Sequence, residues 1–345
     1  MPVRLKDIAQ DLGVSVVTVS KVLRNHRDIS PETRDRVLTR MKELKYQPNW
    51  AARSLVTGRS YLMGLVVPDL VHPFFAQVAK SASRVLRKRG YSLIISSSEE
   101  NTEFEKKEIE QMVGRNLDVL IIASAQRSVE SFRQLEEQRK PYVLIDRRFA
   151  RLAANFIGID DTVVGRMATE HLIENGCRLI AHVGGKYASP AVERARGYRQ
   201  TLERHGISVP ASFLVQRTHG DDSADISGYR AMKTLLKLNP RPDGVFCYND
   251  PTAMGAMTAI LEFGLRIPDD IAIIGCGNVH YASALRVPLS SIDQNSELLG
   301  AGAAKLALTL IESKDSIRRP KTVLLEPTLV PRASSLRNSK TVDAH

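Results

Sequence analysis

Cysteine is scarce in these 345 residues: only Cys177, Cys247 and Cys276 occur, and tryptophan appears once, as Trp50. The three thiols lie far apart, each in or beside an apolar run, which argues against a disulfide framework and for free buried thiols in a reducing compartment. His171, Cys177 and His182 could be strung into a metal site, but their irregular intervals fit core and surface positions better. No metal is expected. No apolar run approaches membrane-spanning length, and the N-terminus opens polar and charged, without a signal segment. A cytoplasmic chain with no membrane partner is expected. Catalytic signatures are missing as well. There is no Gly-x-Ser-x-Gly elbow and no His-Glu-x-x-His, and Gly184-Gly185-Lys186 lacks the flanking spacing of a phosphate loop. Acidic residues at strand ends could serve catalysis, but ligand hydrogen bonding accounts for them, so neither an enzyme nor a cofactor is expected.

Positive charge, by contrast, is abundant. The formal net charge is +11, and the first 60 residues hold twelve Lys and Arg against six Asp and Glu. Over half the excess therefore sits in about a sixth of the length, as a chain built to meet a polyanion would carry it. A solvated basic surface is the plainer alternative until a motif decides. The length suits a small domain joined to a large one.

Residues 1 to about 46 read as three short helices. Leu5, Ile8, Ala9 and Leu12 stand at helical spacing before Gly13; Ser15 can cap a second helix bearing Val19, Val22 and Leu23. Ser30-Pro31-Glu32 opens a third with a capping hydroxyl, a proline in the first turn and an acid at the positive dipole end. Two helices joined by a glycine turn form a helix-turn-helix, whose second helix enters the major groove. Ser15, Val16, Val17 and Thr18 would then face base edges, with Ser20 and Lys21 one turn on. Val16 and Val17 either complete the core or touch thymine methyl groups; the core stripe is already filled, which favours the DNA. Lys21 donates either to guanine or to phosphate.

From Tyr61 the pattern changes to apolar runs of strand length alternating with amphipathic helical stretches. The runs are Leu62–Val67, Ser92–Ser97, Val119–Ala123, Tyr142–Ile145, Leu179–Val183, Gly244–Tyr248 and Ile271–Ile274. Such a βαβ rhythm predicts parallel sheets covered on both faces. About 270 residues exceed what one such sheet uses, so two α/β subdomains are expected.

Several ordered motifs carry a resemblance. They are Leu5-Lys6-Asp7-Ile8-Ala9, Gly13-Val14-Ser15, Thr18-Val19-Ser20-Lys21-Val22-Leu23, Ser30-Pro31-Glu32-Thr33-Arg34, Tyr46-Gln47-Pro48-Asn49 and Ala52-Arg53-Ser54-Leu55. Gly64-Leu65-Val66-Val67-Pro68, Asn249-Asp250, Met254-Gly255-Ala256 and Ile274-Gly275 continue it. Over residues 2–332 the chain resembles the lactose-repressor/galactose-repressor family of bacterial transcription regulators. The resemblance implies an all-α helix-turn-helix head on an α/β, periplasmic-binding-protein-like body of two Rossmann-like subdomains, with a ligand between them. It implies a dimer on palindromic operator DNA, nucleoid-associated when bound, and a small-molecule effector in place of any cofactor.

The domains expected are a head at 1–46, a hinge helix and linker at 47–60, an effector and dimerisation domain at 61–332, and a flexible tail at 333–345. Within the body, the N-subdomain takes about 61–160 and 291–319, the C-subdomain about 161–290 and 320–332. DNA contacts are expected from Arg4, Ser15, Val16, Val17, Thr18, Ser20, Lys21, Arg24, Ser30 and Thr33 on the head, and from Asn49, Ala52, Arg53 and Leu55 in the hinge. Leu55 has the chemistry of a minor-groove wedge, an apolar side chain able to unstack a base step. Trp50 either packs on the head or touches DNA.

Effector contacts are expected from Asp69, Phe74, Phe75, Asp146, Arg194, Asn249 and Gln294, with Phe74 and Phe75 facing different ways and Arg194 offering its fork to ligand oxygens. Asp250 reads as a helix N-cap ahead of Pro251 rather than a ligand contact. One position departs from the family pattern. Gly277, in Ile274-Gly275-Cys276-Gly277-Asn278, stands where the family usually carries Asp, which would free space beside Arg194 for a bulkier or more acidic effector, a sugar acid or phosphorylated sugar. A purely periplasmic binding module is the competing reading, and the basic head argues against it.

Overall fold

The small hydrophobic stripes of the first 46 residues cannot be buried by any one helix, so three helices pack around them. The computed structural model describes residues 3–23, 26–46, 54, 57–149, 151–185, 187–216, 223–312 and 319–337. It divides into two units, Met1–Ser60 and Tyr61–His345. In the first, α1 (Leu5–Leu12) ends on Gly13 at φ +67, a left-handed position that glycine adopts without strain. Ser15 Oγ accepts from Thr18 N at the start of α2 (Val16–Leu23), and Ser30 Oγ from Thr33 N at the start of α3 (Pro31–Glu43). Ile8, Ala9, Val19, Val22, Val37 and Met41 form the core. Arg40 on α3 holds Asp11 on α1 at 2.7 Å.

The second unit holds two six-stranded sheets. The first orders its strands β11-β5-β4-β3-β1-β2, all parallel. Its members are β1 (Leu62–Val67), β2 (Ser92–Ser97), β3 (Val119–Ile122), β4 (Tyr142–Ile145), β5 (Asn155–Ile159) and β11 (Thr322–Leu325). The other runs β12-β10-β9-β8-β6-β7, with β6 (Ile180–Gly184), β7 (Leu214–Gln216), β8 (Gly244–Cys247), β9 (Ala272–Cys276), β10 (Ser290–Asp293) and β12 (Thr328–Val330). Only β12 is antiparallel to its neighbour. The first lobe carries α4 (Pro73–Arg87), α5 (Thr102–Gly114), α6 (Glu130–Glu137) and α11 (Ser296–Glu312). The second carries α7 (Asp161–Glu174), α8 (Ser189–Arg204), α9 (Ala224–Leu235) and α10 (Asp250–Glu262).

Both sheets repeat one doubly wound order, in which the second strand pairs outside the first and the third returns on its other side. The switch points lie at β1/β3 and β6/β8, and ligands of such sheets bind beyond the strand C-termini there. Close helix packing supports the arrangement. A Cβ on Gly165 of α7 would sit 2.1 Å from Arg194 O on α8, and one on Gly197 2.2 Å from Thr162 O, so only glycine permits this crossing.

Two boundaries differ from the sequence reading. β10 belongs to the second sheet and β11 to the first, so the second crossover falls after Asp293, within the Ser290–Gln294 stretch the sequence points to, but the last lies between Leu325 and Thr328 rather than near 319. The expected flexible tail also begins too early. Ser334 and Ser335 are fully buried; Ser334 Oγ donates to Ile273 O at 2.7 Å, and Ser335 Oγ lies 2.6 Å from His171 Nε2. Short hydroxyl side chains can enter a core once they find partners, which composition does not reveal.

Candidate functional site

The head presents one face of unusual chemistry. Val19 and Val22 of α2 turn inward, leaving Val16 44% and Val17 60% exposed at the N-terminal end of the helix. The core alternative for these two valines is therefore closed. Ser15 and Thr18 hydroxyls engage each other at 2.9 Å beside them, and Arg4 stands exposed at the start of α1. Lys21 is held by Asp28 at 2.5 Å, both half exposed, a pair that exchanges readily in water. Ser20 is half-buried, and the Ser30 hydroxyl, which caps α3, donates to Thr33 Oγ1 at 2.9 Å. Arg24, Asn49, Trp50, Ala52, Arg53 and Leu55 lie outside the described residues.

In the body, the loops after β2, β3 and β4 face those after β6 and β8 across a cleft of about 930 Å³. Several contacts among the described residues tie the lobes together around it. Asn249 Nδ2 lies 3.0 Å from His72 Nε2; the Arg148 guanidinium grips Glu193 at 2.9 and 3.0 Å; and Arg127 stacks over the Tyr187 ring at 4.5 Å. Burial pushes His72 down to about 4, so the imidazole is neutral, and its Nδ1 accepts from Phe74 N at the start of α4.

The inner wall is a network of buried charges. Asp146, ending β4 in a left-handed backbone at φ +60, is raised by burial against the pull of Arg147 and Arg194. Arg147 pairs with Glu100 through both guanidinium nitrogens, at 2.6 and 3.0 Å, and also donates to Ser124 O. Its Nε is buried without a hydrogen bond, 3.8 Å from Asp146 Oδ2. Glu105 on α5, fully buried and raised by that burial, accepts from Ser124 Oγ and Ala125 N and fixes the loop that follows β3.

Arg194, 2% exposed, directs Nε to Asp161 at 2.8 Å, Nη1 to Tyr248 O at 2.6 Å and Nη2 to Gln294 Oε1 at 2.9 Å. The Tyr248 ring lies 4.8 Å from its guanidinium. Burial weighs against this charge, but the surrounding anions outweigh it and hold the group protonated.

Of the seven expected effector contacts, Asn249 lines the open cleft. Phe74 and Phe75 do not split between cleft and core; both are buried in the first-lobe core, edge to face at 5.0 Å. Asp69 Oδ1 accepts from Val71 N in the turn after β1. Gly277 does not open a space beside Arg194, because Gln294 fills that position. At φ +129 its backbone also disfavours any L side chain. Nor is Asp250 the cap of α10. Asn249 Oδ1 caps Thr252 N, while buried Asp250 takes Val279 N at 2.8 Å and Ser291 Oγ at 2.6 Å, pinning the loop after β9. The sequence reading missed Glu100, Glu105, Arg147, Tyr187 and Arg230. The signal available was Asp146-Arg147-Arg148, three charges directly after a buried strand.

Known proteins share this architecture. The model of the lacI family of bacterial regulatory proteins matches residues 4–49, and that of a periplasmic binding protein-like domain matches 169–335. The ribose operon repressor of Halalkalibacterium halodurans is 32% identical over 311 residues, spanning 90% of this chain and 91% of its own length. The chain belongs to the lacI family. Another relative, the HTH-type transcriptional repressor PurR of Erwinia tasmaniensis, is 34% identical over 338 residues and 96% of each chain. Among solved structures, a lac repressor dimer bound to operator and the anti-inducer ONPF matches with a TM-score of 0.85, 28% identity, and 98% and 100% coverage. A CelR–cellobiose complex matches with a TM-score of 0.73 at 29% identity, covering 96% of this chain and 99% of that one. This lacI-family chain is a DNA-binding repressor with a periplasmic-binding-protein-like effector domain, and a regulator rather than an enzyme. Among the described residues no helix is long and apolar enough to cross a membrane.

Proposed function

We propose that the chain works in the cytoplasm as a homodimeric repressor on a palindromic operator, controlled by a sugar, sugar acid or related metabolite in the cleft. The observation that carries the DNA-reading half is the exposure of Val16 and Val17 at the leading end of α2, with Ser15, Thr18, Ser20 and Lys21 beside them. Exposed β-branched side chains gain nothing in water but match thymine methyl groups. Lys21 leaves Asp28 for guanine or phosphate; Arg4, Arg24, Ser30 and Thr33 meet backbone. The segment 47–60 is the hinge, in which Asn49, Ala52 and Arg53 follow the minor groove and Leu55 wedges a base step. Two heads are needed because one three-helix unit covers too little DNA for high specificity, and symmetric sites mirror a two-fold dimer.

The effector acts by preferring one separation of the lobes, a differential affinity that the body converts into operator affinity. Asp69, Asp146, Arg194 and Gln294 serve it by shaping the inner wall, and Asn249 by contact. A gel shift on promoter DNA at low salt tests the reading. Binding should be lost when residues 1–60 are removed, and unchanged affinity would overturn it.

A further inference from the structure

Lys21 stands four residues after Val17 on α2, so both project from the face that Val19 and Val22 turn away from the core. Its Nζ lies 2.5 Å from Asp28 Oδ2, with the two side chains 36% and 51% exposed. The turn that carries Asp28 is pinned at both ends. His26 N donates to Lys21 O at 3.1 Å, Arg34 Nη2 donates to His26 O at 2.6 Å, and Ser30 caps α3 two residues on. The hydrogen bond from Lys21 holds the Asp28 carboxyl below its ordinary range, so at neutral pH it is ionised and can only accept. His26 Nδ1 stands 3.7 Å from its other oxygen.

An ion pair this exposed adds little to stability. An acid on a face that meets DNA is also repelled by phosphate and lowers affinity unless a base donor meets it. In the major groove those donors are the amino groups of cytosine and adenine. A G·C pair sets two acceptors, guanine N7 and O6, beside the cytosine N4 amino group, whereas in A·T the amino group lies between two acceptors. An ammonium with a carboxylate directly beside it matches the first order and not the second.

We propose that Lys21 and Asp28 together read one G·C pair of the operator, Lys21 donating to guanine N7 and O6 while Asp28 accepts from cytosine N4. The ion pair opens onto the base pair, and both charges stay partnered. Asp28 is then a specificity-determining residue of the head, beyond the DNA contacts expected from the sequence.

This inference rests on the regulator reading. The duplex preferred by the full-length protein is varied through the four base pairs at each position of one half-site and titrated by fluorescence anisotropy beside a random duplex. Wild type should favour G·C at one position by at least about tenfold. Asp28→Ala should shrink that preference to about threefold or less, yet bind the random duplex as tightly as wild type or more so, because an acid facing phosphate has gone. Lys21→Ala should lose the same preference at the same position, and the double variant should lose no more than Lys21→Ala does. The random duplex also reports the fold of the head, since an unfolded head would release both DNAs. An undiminished preference in Asp28→Ala, losses at different positions in the two variants, or equal losses on operator and random duplex would overturn the proposal. A preferred duplex in which no position favours G·C overturns this proposal alone. A wild type that prefers no duplex over random DNA overturns the regulator reading and the proposal with it.

Discussion

Val17 projects a branched methyl pair from the head, and a matching deletion can be made on the DNA without touching the protein. Replacing thymine by uracil at the contacted step removes only the C5 methyl group. Wild-type affinity should fall by about 1 kcal/mol, near the value of one buried methylene. Val17→Ala should weaken binding by itself and become insensitive to the uracil replacement, as measured by fluorescence anisotropy in a double-mutant cycle. Additive losses would place Val17 away from the base. His182 offers a second test at this scale. It lies in β6 between Phe246 and Tyr198, with Nδ1 on Phe246 O and Nε2 unpartnered, and burial lowers it to about 4. Between pH 6.5 and 4 the unfolded chain therefore binds the extra proton, so this residue subtracts stability as the pH falls through that window. At pH 5 the loss is about 2 kcal/mol relative to pH 8. In His182→Phe the gap to wild type should shift by that amount in the variant's favour at pH 5, read from chemical denaturation at both pH values. A pH-independent gap contradicts the neutral, buried assignment.

At the scale of elements, the two lobes are held by side chains from opposite loops. Arg148, following β4, and Glu193, on α8, form a two-pronged pair, and Arg148 N also takes Ser189 Oγ at 3.0 Å. Such a partly exposed pair contributes about 1 kcal/mol at most. A cycle of Arg148→Ala and Glu193→Ala on thermal stability should return a coupling of that size, diminished by added salt. Zero coupling would mean that the pair does not hold the lobes. Much of this level was legible beforehand. Strands β1 and β4 match their apolar runs end to end, because buried parallel strands leave no polar alternation to blur them; β2 matches as well, although it lies at the sheet edge with Ser92 and Ile95 exposed. β11 was missed because it lies at a sheet edge with Thr322 and Leu324 exposed, and β7 because it has three residues. The site was less legible. Arg194 was identifiable as important, but its three acceptors come from α7, the end of β8 and the loop after β10, segments up to 100 residues away in sequence that converge only once the second sheet is folded.

For the whole molecule, the account joins a reading head to a cleft, and the hinge between them should decide specificity rather than bulk affinity. Leu55→Ala deletes an apolar wedge and no charge. It should lower affinity for the operator far more than for random duplex, since non-specific binding rests on phosphate contacts and counterion release. Equal losses on both DNAs would remove the wedge. The most direct measurement of the central claim is selection of duplexes from a random-sequence pool by the full-length protein, followed by anisotropy titration of the enriched sequence and of a scrambled duplex at physiological salt. The account predicts a two-fold symmetric sequence, bound on the order of a thousandfold or more tightly than the scrambled one. Enrichment of no symmetric sequence, with the same affinity for both duplexes, would contradict it.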